Sequence, residues 1–194
     1  MAHDGCDVVC APGNAGIAHD VPTRPLDAND PEAVLALAVA EGADLTVIGP
    51  EAPLAAGVAD RFALAGRALF GPTRAAAQIE TSKAFAKGLM ARHGVPTASY
   101  VTCETAEHAL AVVRAGTLGW PVVVKADGLA AGKGVVVATT VEEAKGAIDA
   151  MLVGNRMGEA GARVVIEEYL EGEEASFIVM SDGAHVLALA TSQD

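Results

Sequence analysis

The chain has 194 residues, with 13 Lys plus Arg against 25 Asp plus Glu and a formal net charge of −12 with His neutral. Hydrophobic residues make up 52 % and charged residues 20 %, a globular composition that excludes an intrinsically disordered chain. The acidic balance argues against a surface built to hold a nucleic-acid backbone, although a few basic side chains can still converge on a small anion in one pocket.

In chain order, residues 6–11 read as a buried strand, closed by Pro12-Gly13-Asn14-Ala15-Gly16. Asn29-Asp30-Pro31-Glu32 is a helix start, with a capping side chain, a proline in the first turn and an acid near the positive dipole end. That helix is expected to run to about Gly42. Residues 45–48 read as a strand, 54–65 as a helix and 68–70 as a third strand. The β-α-β-α-β order predicts a parallel sheet with crossover helices. Residues 1–73 are therefore expected to form an α/β unit, an open parallel sheet lacking its first strand and helix.

Residues 74–98 read as a helical connector, one helix over 74–93 stopped by Gly94 and Pro96. Residues 99–170 read as an α+β lobe. It has a helix over 105–115, strands at 121–126 and 134–138 around a Gly-rich loop, and a helix from Thr140 to about Leu152 with Glu143 at the capping-box position. A polar Gly-rich loop follows at 154–162, then a strand at 163–168. In the last segment, 171–194, strands at 175–180 and 185–190 flank the turn signal Ser181-Asp182-Gly183.

Mean hydropathy is positive, at +0.35. The apolar runs are nevertheless short and broken by Gly, Asp, Glu or Lys, well below the ~20 residues of a membrane span. No basic region followed by an apolar run opens the sequence, so no signal peptide is expected. Cys6, Cys10 and Cys103 lack a metal spacing and read as buried, reduced thiols of a cytoplasmic protein. The five histidines are scattered and read as solvated or structural. Trp120 reads as core packing at a strand entry, and Glu142, Glu143 and Asp149 as a solvated helix face.

Two stretches carry chemistry. The first is Lys125-Ala126-Asp127-Gly128-Leu129-Ala130-Ala131-Gly132-Lys133-Gly134 between two strands. Bare backbone N–H groups of such a loop can close around phosphate oxygens, with Lys125 on the strand floor below. It is not a Walker A loop, which needs four residues between its glycines, then Lys-Ser/Thr, then a helix. The plain alternative is a glycine hairpin with two solvated lysines. The second stretch, from Glu167 to Glu174, holds five Glu within eight residues. It reads either as a solvated acidic turn or as a hinge. The backbone of such a hinge can pair with the amino group and N1 of adenine, while a carboxylate beyond it accepts from ribose hydroxyls.

Together these stretches resemble the ATP-grasp superfamily, in which a nucleotide lies between two α+β lobes. Pro12-Gly13-Asn14-Ala15-Gly16, Ile48-Gly49-Pro50-Glu51-Ala52-Pro53-Leu54, Ser82-Lys83-Ala84-Phe85-Ala86-Lys87, the Gly-rich loop and Ala190-Thr191-Ser192-Gln193-Asp194 further resemble the glycinamide ribonucleotide synthetases, in order along essentially the whole chain. That family also carries an earlier Gly-rich turn and a later segment with magnesium-binding side chains. The chain is accordingly expected to be an internal fragment, inactive alone.

The resemblance implies ATP-dependent joining of glycine to 5-phosphoribosylamine, with Mg2+ or Mn2+ held by side chains outside this chain. Lys83, Lys125 and Lys133 would contact ATP phosphates under a loop that includes Gly128, Gly132 and Gly134. The Glu168 carbonyl and Leu170 N–H would read adenine, helped by the Glu167 side chain, and Glu174 would bind ribose. Asn14, Gly16, Pro50, Glu51 and Pro53 would belong to the phosphoribosylamine side, and Asp194 to the glycine end. No metal ligand within the chain, no nucleic acid and no membrane are expected. Three rival readings are a nucleotide-binding module without turnover, a sister ATP-grasp carboxylate–amine ligase and a nicotinamide-dependent oxidoreductase. No Gly-x-Gly-x-x-Gly opens a helix after a strand, which counts against the last.

Overall fold

The computed structural model describes residues 5–130, 134–154 and 162–193. The expected polar loop at 154–162 lies almost wholly outside the described residues.

Helix α1 (Pro31–Ala40) begins where its cap dictates. The Asp30 carboxylate accepts from the N–H groups of Glu32 and Ala33, Pro31 needs no acceptor in the first turn, and Glu32 faces the positive dipole end. Strands β1 (Thr46–Val47) and β2 (Leu69–Phe70) pair in parallel, as the alternating order requires. Between them lie two helices, α2 (Glu51–Ala56) and α3 (Val58–Leu64), where one was expected over 54–65. The break is Gly57, at φ +96. A Cβ there would stand 3.2 Å from the Arg74 guanidinium, which donates to the Ala56 carbonyl. Val34, Leu35, Val58 and Phe62 bury the α1–α3 contact.

The strand expected at 6–11 does not form. Cys10 alone bridges Thr23, accepting from Arg24 N–H and donating to the Pro22 carbonyl, both at 3.0 Å. Val8 and Val9 are half-exposed, since no ladder flanks them. Cys6 is exposed and Cys10 partly so; of the thiols expected to be buried only Cys103 is, and burial pushes its pKa up.

The connector is also two helices, α4 (Arg74–Thr81) and α5 (Lys83–His93). Ser82 interrupts them in extended backbone, and its Oγ caps α5 by accepting from Phe85 N–H at 3.1 Å.

The lobe contains β3 (Tyr100–Cys103), α6 (Ala106–Ala115), β4 (Val122–Ala126), β5 (Val135–Ala138), α7 (Val141–Ile148) with a following π turn, and β6 (Val164–Glu168). Its sheet runs β3-β6-β4-β5, antiparallel throughout. Because side chains alternate across a sheet, one face carries Cys103, Val122, Val124, Ala138, Val164 and Ile166. These pack on Ala109, Val113, Ala144 and Ile148 of α6 and α7 as the main core. Tyr100, Val123, Lys125, Val165 and Glu167 share the opposite face by register.

Three local expectations are refined. Thr140 caps α7, but the Glu143 carboxylate accepts from the N–H and hydroxyl of Thr139, one residue early; these bonds hold its pKa below the usual range. Trp120 is 43 % exposed rather than core, because pairing of β4 begins only at Val122. The final hairpin, β7 (Val179–Ser181) and β8 (Val186–Ala188), is shorter than expected and exposed throughout. In its turn Asp182 binds the His185 ring and the N–H groups of His185 and Ala184, which hold the carboxyl down at about 2.

Gly57→Ala should lower stability by roughly 1–2 kcal/mol, the cost of a Cβ in left-handed backbone, read as a shift in the urea midpoint at unchanged slope.

Candidate functional site

Helix α5 and the end of β4 assemble the site. Lys83 and Lys87 lie four residues apart, one turn along the same helix face. Lys87 is buried; its ammonium donates to Thr97 Oγ1 at 2.8 Å and the Ala98 carbonyl at 3.2 Å, and forms an ion pair with Glu167 Oε2 at 3.0 Å. The same ammonium lies 5.5 Å from the centroid of the Tyr100 ring. Lys125, on β4, donates to the same Glu167 Oε2 at 2.9 Å and keeps 28 % of its side chain exposed. Glu167 stands diagonally across the β4–β6 ladder from Lys125, because Val123 pairs with Glu167 and Lys125 with Val165. Two ammonium groups thus share one buried carboxylate, and one positive charge is left over on the open face.

A second cluster centres on Asp127, the residue after β4 and its bend. The carboxylate accepts from Ala84 N–H at 2.7 Å, from the Arg163 guanidinium at 2.7 and 3.1 Å, and from Ser82 Oγ at 3.1 Å. The Asp127 backbone N–H donates to the Arg163 carbonyl and its carbonyl accepts from Lys83 N–H, both at 3.0 Å. Lys83 Nζ donates to the Gly128 carbonyl at 3.1 Å. Connector, loop stem and the entry to β6 therefore meet at one aspartate. On the far stem, Gly134 is buried against its neighbours: a Cβ there would stand 2.6 Å from the Ala130 Cβ, and its carbonyl accepts from Ala126 N–H at 2.7 Å.

Lys83, Lys125, Gly128, Gly134 and Glu167 are thus brought together around the end of β4. Gly132, Lys133 and Asp194 lie outside the described residues. Glu168 closes β6; its Oε1 accepts from Ser99 N–H at 2.7 Å, which holds its carboxyl below the usual glutamate range. Leu170 and Glu174 follow on the exposed segment beyond β6. Asn14 Oδ1 accepts from Ile17 N–H at 3.0 Å, and Gly16 caps the short turn at Ile17–His19. Pro50 caps α2, Glu51 is exposed in its first turn, and Pro53 is buried within it. Among the described residues no hydrogen bond ties these five N-terminal positions to the lysine cluster.

Sequence reasoning missed Lys87 and Asp127. Lys87 was visible as the i+4 partner of Lys83, and Asp127 as the only carboxylate between Lys125 and Gly134.

The geometry is that of one lobe of an ATP-grasp fold. The chain superposes on the biotin carboxylase domain of the 2-oxoglutarate carboxylase of Hydrogenobacter thermophilus with a TM-score of 0.64, at 23 % identity, over 83 % of this chain and 36 % of that one. On a phosphoribosylamine–glycine ligase from Thermotoga maritima the TM-score is 0.78 at 28 % identity, covering 97 % of this chain and 44 % of that one. Residues 2–80 match the phosphoribosylglycinamide synthetase N domain and residues 81–194 the ATP-grasp (A) domain of the same synthetase. The chain belongs to the phosphoribosylglycinamide synthetase family. A phosphoribosylamine–glycine ligase of Ralstonia nicotianae is 61 % identical over 187 residues, 96 % of this chain, and one of Xylella fastidiosa is 57 % identical over 190. The chain spans 44 % of the length of each of these relatives. Among the described residues no helix is long and apolar enough to cross a membrane.

Asp127→Ala should cost roughly 1.5–3 kcal/mol, the range for hydrogen bonds to a charged group, and lower the thermal midpoint by roughly 3–12 °C. Glu168 gives a pH signature. Its folded pKa lies below the unfolded value, roughly 4.3, so its contribution is full above that value and fades as pH falls through the lower folded value. Glu168→Gln should be less stable than the parent at neutral pH, and the gap should close as the solution is acidified through that window.

Proposed function

We propose that this chain supplies the substrate domain and the nucleotide lobe of a cytoplasmic phosphoribosylamine–glycine ligase of purine biosynthesis. The reaction would join glycine to 5-phosphoribosylamine, giving glycinamide ribonucleotide, ADP and phosphate. We divide the chain at residues 73, 98 and 170, into the α/β unit, the connector, the small lobe and the start of a larger lobe. The observation that carries the reading is the open sheet face on which Lys125 leaves one net positive charge beside the stem of the Gly-rich loop.

A carboxylate is a poor electrophile, and phosphorylation gives it a leaving group. A glycine carboxylate oxygen would attack the γ-phosphorus as the bond to the β-phosphate oxygen breaks and ADP departs. The sugar amine nitrogen would then attack the carbonyl carbon of glycyl phosphate. The C–O bond to phosphate breaks, phosphate leaves, and the nitrogen sheds a proton. The protein's part is positioning and charge neutralisation.

Lys125, and Lys83 at the start of α5, would hold phosphate oxygens beside the loop carrying Gly128, Gly132, Lys133 and Gly134. Val135 and Val137, half-exposed by register on the same face as Lys125, offer an apolar surface for a purine. Glu167 spends Oε2 on the two lysines and would turn Oε1 toward the adenine amino group. The Glu168 carbonyl and Leu170 N–H would pair with the adenine edge, and Glu174 with the ribose. Asn14, Gly16, Pro50, Glu51 and Pro53 would shape the phosphoribosylamine side, and Asp194 the glycine end.

A divalent cation would add charge neutralisation between the phosphates. Among the described residues no group of three or more His, Cys, Asp or Glu is placed to hold one.

Lys125→Ala should weaken ATP binding about ten- to a hundredfold, the worth of a charge-assisted hydrogen bond, with the circular dichroism spectrum unchanged. In protein extended to the length of its relatives, ADP release requiring both glycine and phosphoribosylamine should fall with it. Unaltered ATP affinity in calorimetry refutes the nucleotide site, and ADP release indifferent to phosphoribosylamine refutes the ligase.

A further inference from the structure

The two lysines on Glu167 are not equivalent. An ammonium has three N–H donors. Lys87 donates to Thr97 Oγ1 and the Ala98 carbonyl, its ammonium forms an ion pair with Glu167 Oε2, and its side chain is 8 % exposed. Lys125 has Glu167 as its one hydrogen-bond partner among the described residues and is 28 % exposed. Lys87 is spent within the protein, whereas Lys125 has donors to offer.

We propose that Lys87 is a positioning residue for phosphate binding: by sharing the Glu167 carboxylate it keeps that carboxylate from neutralising Lys125. The inference rests on the nucleotide reading above. With both lysines present, the trio carries one net positive charge, and Glu167 Oε2 divides its attraction between two ammonium groups. Without Lys87, carboxylate and Lys125 form a closed neutral pair in a site where water screens poorly. Polyphosphate then has to compete with Glu167 for Lys125. The adenosine part of the nucleotide would meet Glu167 Oε1, the backbone at Glu168 and Leu170, Glu174 and apolar groups rather than Lys125, and should register the change far less than the phosphates. The anchor at Thr97 and Ala98, in the segment leading into β3, fixes Lys87 from outside the trio, so its charge stays in place when ligand arrives.

The test compares ADP with adenosine as ligand, by saturation-transfer NMR on this chain. Lys87→Met should weaken ADP roughly tenfold and leave adenosine within about twofold. Lys87→Gln retains a donor for the carboxylate without the charge; it guards against loss of folding in the methionine variant and should show the same selective loss. The decisive variant is the double Lys87→Met with Glu167→Gln, which restores the single positive charge. It should recover most of the ADP-to-adenosine affinity ratio. A merely structural Lys87 predicts instead equal losses for both ligands and no recovery in the double variant, and that result overturns the proposal. So does full ADP affinity in Lys87→Gln. If Lys125→Ala leaves ADP affinity unchanged, the nucleotide reading itself has failed, and this inference with it.

Discussion

A buried carboxylate with no cation beside it is among the most costly arrangements a small domain can hold. Glu167 is buried on β6, and two lysines from different elements reach it. That constraint orders much of the lobe. Helix α5 must lie close enough for Lys87 to reach β6, and Thr97 and Ala98 must lie close enough to accept its hydrogen bonds. The ladder between β4 and β6 must hold the register that sets Lys125 diagonal to Glu167. A slip of one residue would turn Lys125 toward the apolar core against α6 and α7.

The sheet divides its labour by face. Valines, alanines, one isoleucine and one cysteine seal one side against the helices, with Glu168 at its edge, and the Glu167–Lys125 pair lies on the other. The strand sequence Val122-Val123-Val124-Lys125-Ala126 does not announce this division, because four of its five residues are apolar. Alternation puts Val123 and Lys125 on one side, and only the register with β6 and β5 shows that Glu167, Val135 and Val137 share it.

Legibility in the sequence followed physical range. Caps and turns are local, so Asp30, Thr105 and Thr140 could be read directly as helix starts. The parallel β1–β2 pair followed from the alternation of elements. The interruptions at Gly57 and Ser82 were hidden, because each depends on a distant partner: Arg74 over Gly57, and Asp127 on Ser82. The strand at 6–11 had the composition of a strand but lacked neighbours, which composition cannot supply. At the site, Lys83, Lys125 and the glycines were legible from the loop and the family resemblance. Lys87 offered only its i+4 spacing from Lys83, because its importance lies in two hydrogen-bond acceptors just beyond its helix and in an ion pair with β6, and Glu167, marked only by the resemblance, is set apart by its burial from the exposed Glu171, Glu173 and Glu174.

The break between α4 and α5 also bears on how such a chain can be recombined. Arg74 and Ala77 of α4 lean back on the N-terminal unit, through the Asp60 carboxylate, the Ala56 carbonyl and the packing of Leu54 and Ala59. The hydrogen bonds from the connector to the loop stem start at Ser82, Lys83 and Ala84, and its ion pair with β6 at Lys87. Thr81 and Ser82 therefore mark a seam at which allegiance changes from one half of the molecule to the other. A chimera cut there exchanges one α/β unit for another while carrying over intact the polar contacts that hold the lobe together, whereas a cut ten residues later would divide the capped helix from the aspartate it is tied to.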